Sequence, residues 1–225
     1  SGRDNSVDWD AAFERVPTTG VLPFVRRDTQ HANPDHRPTQ AQYERYIYLV
    51  QLFRGLNWDN TKLHDASPFQ VVDPGFNAIL LRSCADLADL ADTLGQPGIA
   101  AQARAHLARG LTAMETLWSD AQGQYLCLDR TLGTLIQSPS IGGLLATFAA
   151  IPQHRAAAIG TRLTTLGEKV TYLVPSHDPD AAEFDSLRYW RGPVWLIVNY
   201  MIADGLQQAG QDDVAARIVA DSIAL

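Results

Sequence analysis

Apolar residues recur at helical spacing along most of the chain. From Thr39 onward Tyr46, Ile47, Val50, Phe53 and Arg54 follow one another at three- and four-residue steps, with Pro38 outside and Gly55 near the end, which predicts a helix. The stretch "QVVDPGFNAILLRSCADLADLADTLGQPG" predicts another, with Asp73 as N-cap and Pro74 at the first helical position. Leu80, Cys84, Leu87, Ala91 and Leu94 form its apolar stripe, and Gly95 and Pro97 stop it. A partner helix is expected from Ile99 to Trp118, making an antiparallel hairpin, and "QYLCLD" alternates like a brief strand. "SIGGLLATFAAI" and "RAAAIGTRLTTLGEKV" read as shorter, glycine-interrupted helices. "GPVWLIVNYMIADGLQQAGQ" and "DDVAARIVADSIA" read as a second hairpin.

The two hairpins resemble each other. Pro74 and Pro193 each open an apolar helix, and "LGQ" and "AGQ" turns lead into "AAQAR" and "VAAR". The class expected is all-α, with minor strands in loops. Repeated helical hairpins build either an open solenoid or a closed toroid, and the irregular spacing disfavours a regular solenoid. The helical pattern runs to Leu225 with no cap or breaker, so residues 1–225 are expected to be a single-domain segment of a longer polypeptide, cut at both ends.

Composition narrows the function classes. Hydrophobic residues make up 46% and charged residues 19% of the 225, as in a packed globular protein. A net charge of -7 without any Lys/Arg block argues against a nucleic-acid partner, and no apolar run reaches membrane-spanning length. The expectation is a soluble, cytoplasmic protein that meets neither nucleic acid nor membrane. Cys84 and Cys127 lack metal or redox spacing and read as buried thiols in a reducing compartment.

Chemistry concentrates in two stretches. "SGRDNSVDWD" places Asp4, Ser6, Asp8 and Asp10 at alternate positions, like a calcium loop, but Trp9 and Arg15 stand where such a loop needs glycine and glutamate. The plain reading is a capped helix start, with Asp4 or Ser6 as N-cap and Asp8 and Asp10 near the positive end of the helix. The other reading is a held, working carboxylate: Arg3 and Asn5 would donate hydrogen bonds around Asp4, and Gly2 lets the backbone come close to a ligand. In "FDSLRYWRGPVWLIVNYMI", Tyr189, Trp190, Arg191 and Trp195 surround a helix start. They could be core, but the first three precede the helix, in a loop where binding residues collect. Aromatic faces suit the C–H faces of sugar rings, so a small carbohydrate is the expected ligand.

"SGRDNS" followed by Trp9, then "DPGFNAILLR", then "YWRGPVW" followed by "NY", in that order, resembles the catalytic domain of the mannosylglycerate hydrolases and processing α-glucosidases of glycoside hydrolase family sixty-three. Trehalases are more distant relatives. The resemblance spans Ser1 to about Tyr200. It implies a closed (α/α)6 barrel of six helical hairpins and inverting hydrolysis of an α-glycosidic bond without a cofactor or metal. It makes Asp4 the general acid, with Tyr189, Trp190, Arg191 and Trp195, together with Arg3 and Asn5, at the sugar. A general acid must carry a proton, so burial should favour the neutral carboxyl, and Arg3 must not pair with it.

Inversion also needs a second carboxylate, about 6.5–9.5 Å away, to activate water on the opposite face. In relatives this glutamate lies downstream, before a "SWT"-like stretch that is absent here, so the base is expected beyond this segment. Glu183 and Asp185 are stand-ins, more simply read as a solvated loop, and Asp221 falls on a helix face. The "HANPDHRP" residues His31, Asp35 and His36, like His64 and Asp65, read as solvated loops rather than metal ligands. Asn77 either points into the site or packs near Asp73. The alternative in a different class is a non-catalytic helical-repeat scaffold for protein partners.

Overall fold

The computed structural model describes residues 2–30 and 33–225. A 3-10 turn, Val7–Trp9, leads into α1 (Asp10–Glu14). After a long loop come α2 (Gln40–Gly55), α3 (Asn60–Ala66), β1 (Val71–Val72), α4 (Pro74–Thr93) and α5 (Pro97–Met114). Four two-residue strands follow, β2 (Trp118–Ser119), β3 (Gln124–Tyr125), β4 (Leu128–Asp129) and β5 (Thr134–Leu135). The chain then forms α6 (Ile141–Leu144), a 3-10 turn Leu145–Phe148, α7 (Gln153–Gly167), α8 (Leu196–Gln208) and α9 (Asp212–Ala224). The molecule is mostly helical, and among the described residues no helix is long and apolar enough to cross a membrane.

Local chemistry explains the best-formed elements. Thr39 caps α2 through a full capping box with Gln42, each side chain bonding the other's backbone N–H at 3.2 and 2.8 Å. Asp73 caps α4 by accepting from Gly75 N at 2.9 Å, with Pro74 in the first turn. Helices α4 and α5 form one antiparallel pair and α8 and α9 another. The Leu145–Phe148 turn wedges between α4 and α8.

The main core joins Leu81, Leu117, Tyr125, Ile141, Leu163, Ile202, Leu206 and Ile218. A smaller cluster of Phe13, Val16 and Leu49 gathers Trp9, Tyr46, Phe53 and Phe69 around it.

Four expectations are corrected. The inward face of α4 is made by Ala78, Leu81, Ala88 and Ala91, whereas Leu80, Leu87 and Leu94 of the supposed stripe are exposed. Small residues face α5 and the Leu145–Phe148 turn because the backbones approach closely there. Pro193 does not open α8: Val194 pairs with Pro175 in an isolated bridge, which holds the chain extended until Leu196. The partner helix stops at Met114, and Trp118 lies in β2, opposite Tyr125. "QYLCLD" is two strands, because Tyr125 pairs with β2 while Leu128 and Asp129 pair with β1 and β5.

Candidate active site

Arg3 is the best-anchored residue of the "SGRDNS" loop, and it does not pair with Asp4. Its Nη1 donates to Asp8 Oδ2 at 2.5 Å and to Ser140 Oγ at 3.0 Å, its Nη2 donates to Asp73 Oδ1 at 2.9 Å, and Ser140 Oγ donates to Asp8 Oδ2 at 2.6 Å. Burial works against the guanidinium charge, but Asp73 and Asp8 outweigh it and hold the group firmly protonated. Trp9 fixes the backbone as well, donating its indole N–H to the Arg3 carbonyl at 2.7 Å, while the guanidinium lies 4.8 Å from the Trp9 ring.

Gly142 makes this possible. A Cβ there would stand 2.5 Å from the Arg3 guanidinium carbon, and a Cβ on Gly143 would stand 1.9 Å from the Tyr125 carbonyl oxygen. The two glycines that interrupt the "SIGG" helix therefore make room for an arginine and for the backbone of strand β3.

On the other side of Asp4, Asn5 is held by the distant "YWRGPVW" loop. Arg191 Nε donates to the Asn5 carbonyl at 2.9 Å, and its Nη2 reaches both oxygens of Asp10 at 2.8 Å. Asn5 and Trp190 both adopt left-handed backbone, φ 66° and 57°, which is uncommon outside glycine and persists only where the surroundings enforce it.

Between these two anchors Asp4 is exposed rather than buried, and it lines a cavity of about 640 Å³. Six aromatic residues, Trp9, Phe13, Tyr46, Phe53, Phe69 and Phe76, contribute to its wall. The Tyr46 hydroxyl is pushed up to about 12, chiefly by burial, so it stays neutral. The cavity's other carboxylate, Asp73, is taken up by Arg3. Asn77 lines the cavity and donates to the Asp73 carbonyl at 2.8 Å.

The aromatic wall is not the one expected. Trp190 and Trp195 stack on each other, centroids 4.1 Å apart and 5° from parallel, and Tyr189 meets Trp195 edge-on at 5.0 Å. Trp190 is buried, and the indole N–H groups of both tryptophans have no partner among the described residues. They sit one and four residues from the Arg191 tie rather than in the wall around Asp4.

Arg3 and Arg191, expected at the sugar, both hold protein groups. Asp8 and Asp73 are both buried partners of Arg3, and Asp10 is the partner of Arg191.

Glu183 and Asp185 are exposed, and the Asp185 carboxylate accepts from Leu187 N at 3.0 Å. Asp221 is structural, bound to Arg217 and to Leu173 N. His31 lies outside the described residues. Exposed Asp35 and half-buried His36 lie in a 3-10 turn, the His64 ring meets Asp65, and no group of three or more candidate metal ligands occurs among the described residues. Cys127 is buried and Cys84 half-buried, and neither is in a disulfide.

Comparison with known proteins sets this chain among glycoside hydrolase domains. The chain is 42% identical to a mannosylglycerate hydrolase of Thermus thermophilus, covering 100% of this chain and 54% of that protein. It is 39% identical to the mannosylglycerate hydrolase MGH1 of Selaginella moellendorffii, covering 100% and 46%. A crystal structure of a family-sixty-three mannosylglycerate hydrolase, also from Thermus thermophilus and in complex with Tris and D-glycerate, superposes with a TM-score of 0.95 at 42% identity, over 100% of this chain and 54% of that one. The chain belongs to the mannosylglycerate hydrolase MGH1-like glycoside hydrolase domain family, matched over residues 1–225. It spans about half the length of the relatives it matches.

Proposed function

We propose that this chain is the acid-bearing part of an inverting α-glycosidase that cleaves mannosylglycerate or its glucosyl analogue, with its hairpins forming part of an (α/α)6 barrel in a cytoplasmic enzyme. The observation that carries the reading is Asp4: an exposed carboxyl over an aromatic-walled cavity, with the residue before it and the residue after it each anchored to the core. The cavity volume lies in the range of small-molecule sites.

In this reading the sugar lies against the aromatic wall, and Asp4 gives its proton to the glycosidic oxygen as the C1–O bond breaks, so glycerate leaves as the alcohol. Water adds to C1 from the opposite face and loses its proton to a second carboxylate. Asp4 is the one cavity carboxylate not already bound to an arginine, so the second must come from residues other than those lining this cavity. Arg3 and Arg191 hold the loop rather than the sugar, and Tyr189, Trp190 and Trp195 pack on one another next to Arg191 in the chain. Two free thiols fit a reducing compartment.

Replacing Asp4 with Asn in the intact enzyme should abolish release of glycerate from mannosylglycerate while the sugar still binds. Wild-type turnover by Asp4→Asn would overturn the assignment. The scaffold alternative predicts no saturable sugar binding, and family membership does not favour it.

A further inference from the structure

We infer that Asp73 is a positioning residue for the reaction, acting on Asp4 through Arg3; the inference rests on the assignment of Asp4 as the proton donor. A single oxygen, Asp73 Oδ1, accepts from two directions: from Gly75 N at 2.9 Å, which starts α4, and from Arg3 Nη2 at 2.9 Å, which starts the loop carrying Asp4. Helix α4 also supplies Phe76 and Asn77 to the cavity wall. That oxygen therefore sets the spacing between the proton donor and one wall of the cavity that receives the sugar.

The other side of the guanidinium is fixed independently. Asp8 and Ser140 take Nη1, and Gly142 leaves no side chain to push Arg3 aside. Without Asp73, Arg3 keeps its hold on Asp8 and Ser140, but the loop is no longer tied to α4. The side chains of Arg3 and Asp73 are only 6% and 8% exposed, so solvent screens the pair little. Small misplacements of a reacting group cost rate far more than affinity, because orientation contributes mainly at the transition state.

The two duties of Asp73 separate by substitution. Asparagine and serine are as good as aspartate at a helix N-cap. Asp73→Asn keeps an uncharged acceptor and weakens the link to Arg3, and Asp73→Ser is too short to reach it. In the intact enzyme, acting on mannosylglycerate, Asp73→Asn should lower kcat about tenfold or more with KM within about twofold, in protein whose melting temperature falls but which stays folded at the assay temperature, and Asp73→Ser should lower both kcat and melting temperature further.

A kcat within twofold of wild type in both variants overturns the inference, as does a loss of kcat that tracks loss of the folded state, or failure of both variants to fold. Asp4→Asn is run alongside. If it retains activity, the acid assignment fails whatever Asp73 does; if it is inactive while the Asp73 variants turn over normally, only the positioning role fails.

Discussion

Arg191 Nε donates to the backbone carbonyl of Asn5 at 2.9 Å, across 186 positions of sequence. The two stretches that looked chemically special are thus one physical unit, and the left-handed conformations of Asn5 and Trp190 stand on either side of the bond.

Truncating that arginine should loosen both loops. Arg191→Ala leaves the buried Asn5 carbonyl without a donor and Asp10 without its partner. Because the Asp10 side chain is 35% exposed, the expected loss is below that of a fully buried pair, about 2–3 kcal/mol in urea denaturation. Arg191→Lys should recover less than half, since a point charge cannot span both acceptors. A change below about 0.5 kcal/mol in Arg191→Ala would show that the tie is not structural.

The glycines of "SIGG" should rank by what they face. At Gly143 an added methyl meets the Tyr125 carbonyl at 1.9 Å, a backbone atom that cannot step aside, whereas at Gly142 it meets the Arg3 side chain at 2.5 Å. Gly143→Ala should therefore cost more stability than Gly142→Ala, both on the order of 1–3 kcal/mol. Gly142→Ala should lower turnover by more than its stability loss explains, because it displaces Arg3. The reverse order in thermal melts and activity assays would contradict the packing.

His177 gives the fold a pH dependence. It is 2% exposed, neither ring nitrogen has a partner among the described residues, and burial pushes its pKa below the ordinary 6.5, against the carboxylates of Asp8, Glu183 and Asp178. As pH falls through 6.5 the unfolded chain takes up a proton that the folded chain refuses. The stability present above that value therefore declines on acidification, by up to about 1.4 kcal/mol per pH unit. Denaturation at pH 7.5 and 5.5 should show a steeper loss in the wild type than in His177→Gln, and equal slopes would remove His177 as the cause.

The helices were legible because their signals are local. Asp73 before Pro74, Thr39 before the Tyr46–Phe53 periodicity, and the turns at Gly95 and Gly210 each act within a few residues. Which side of α4 turns inward was not legible from the leucines, because close approach to α5 and the Leu145–Phe148 turn selects alanines. Asp4 stood out through its neighbours. The partners of those neighbours did not: Arg3 meets Asp73 and Ser140 at separations of 70 and 137 residues, and no periodicity records such a pairing.

Because Arg3 is bolted to Asp8, Asp73 and Ser140 at once, the loop carrying Asp4 has no private way to come loose. The Ser6 amide, which donates to the Arg3 carbonyl at 3.1 Å, should exchange with deuterium only as fast as the core around Ile141 and Leu144 opens, so heat should destroy site and fold in one step.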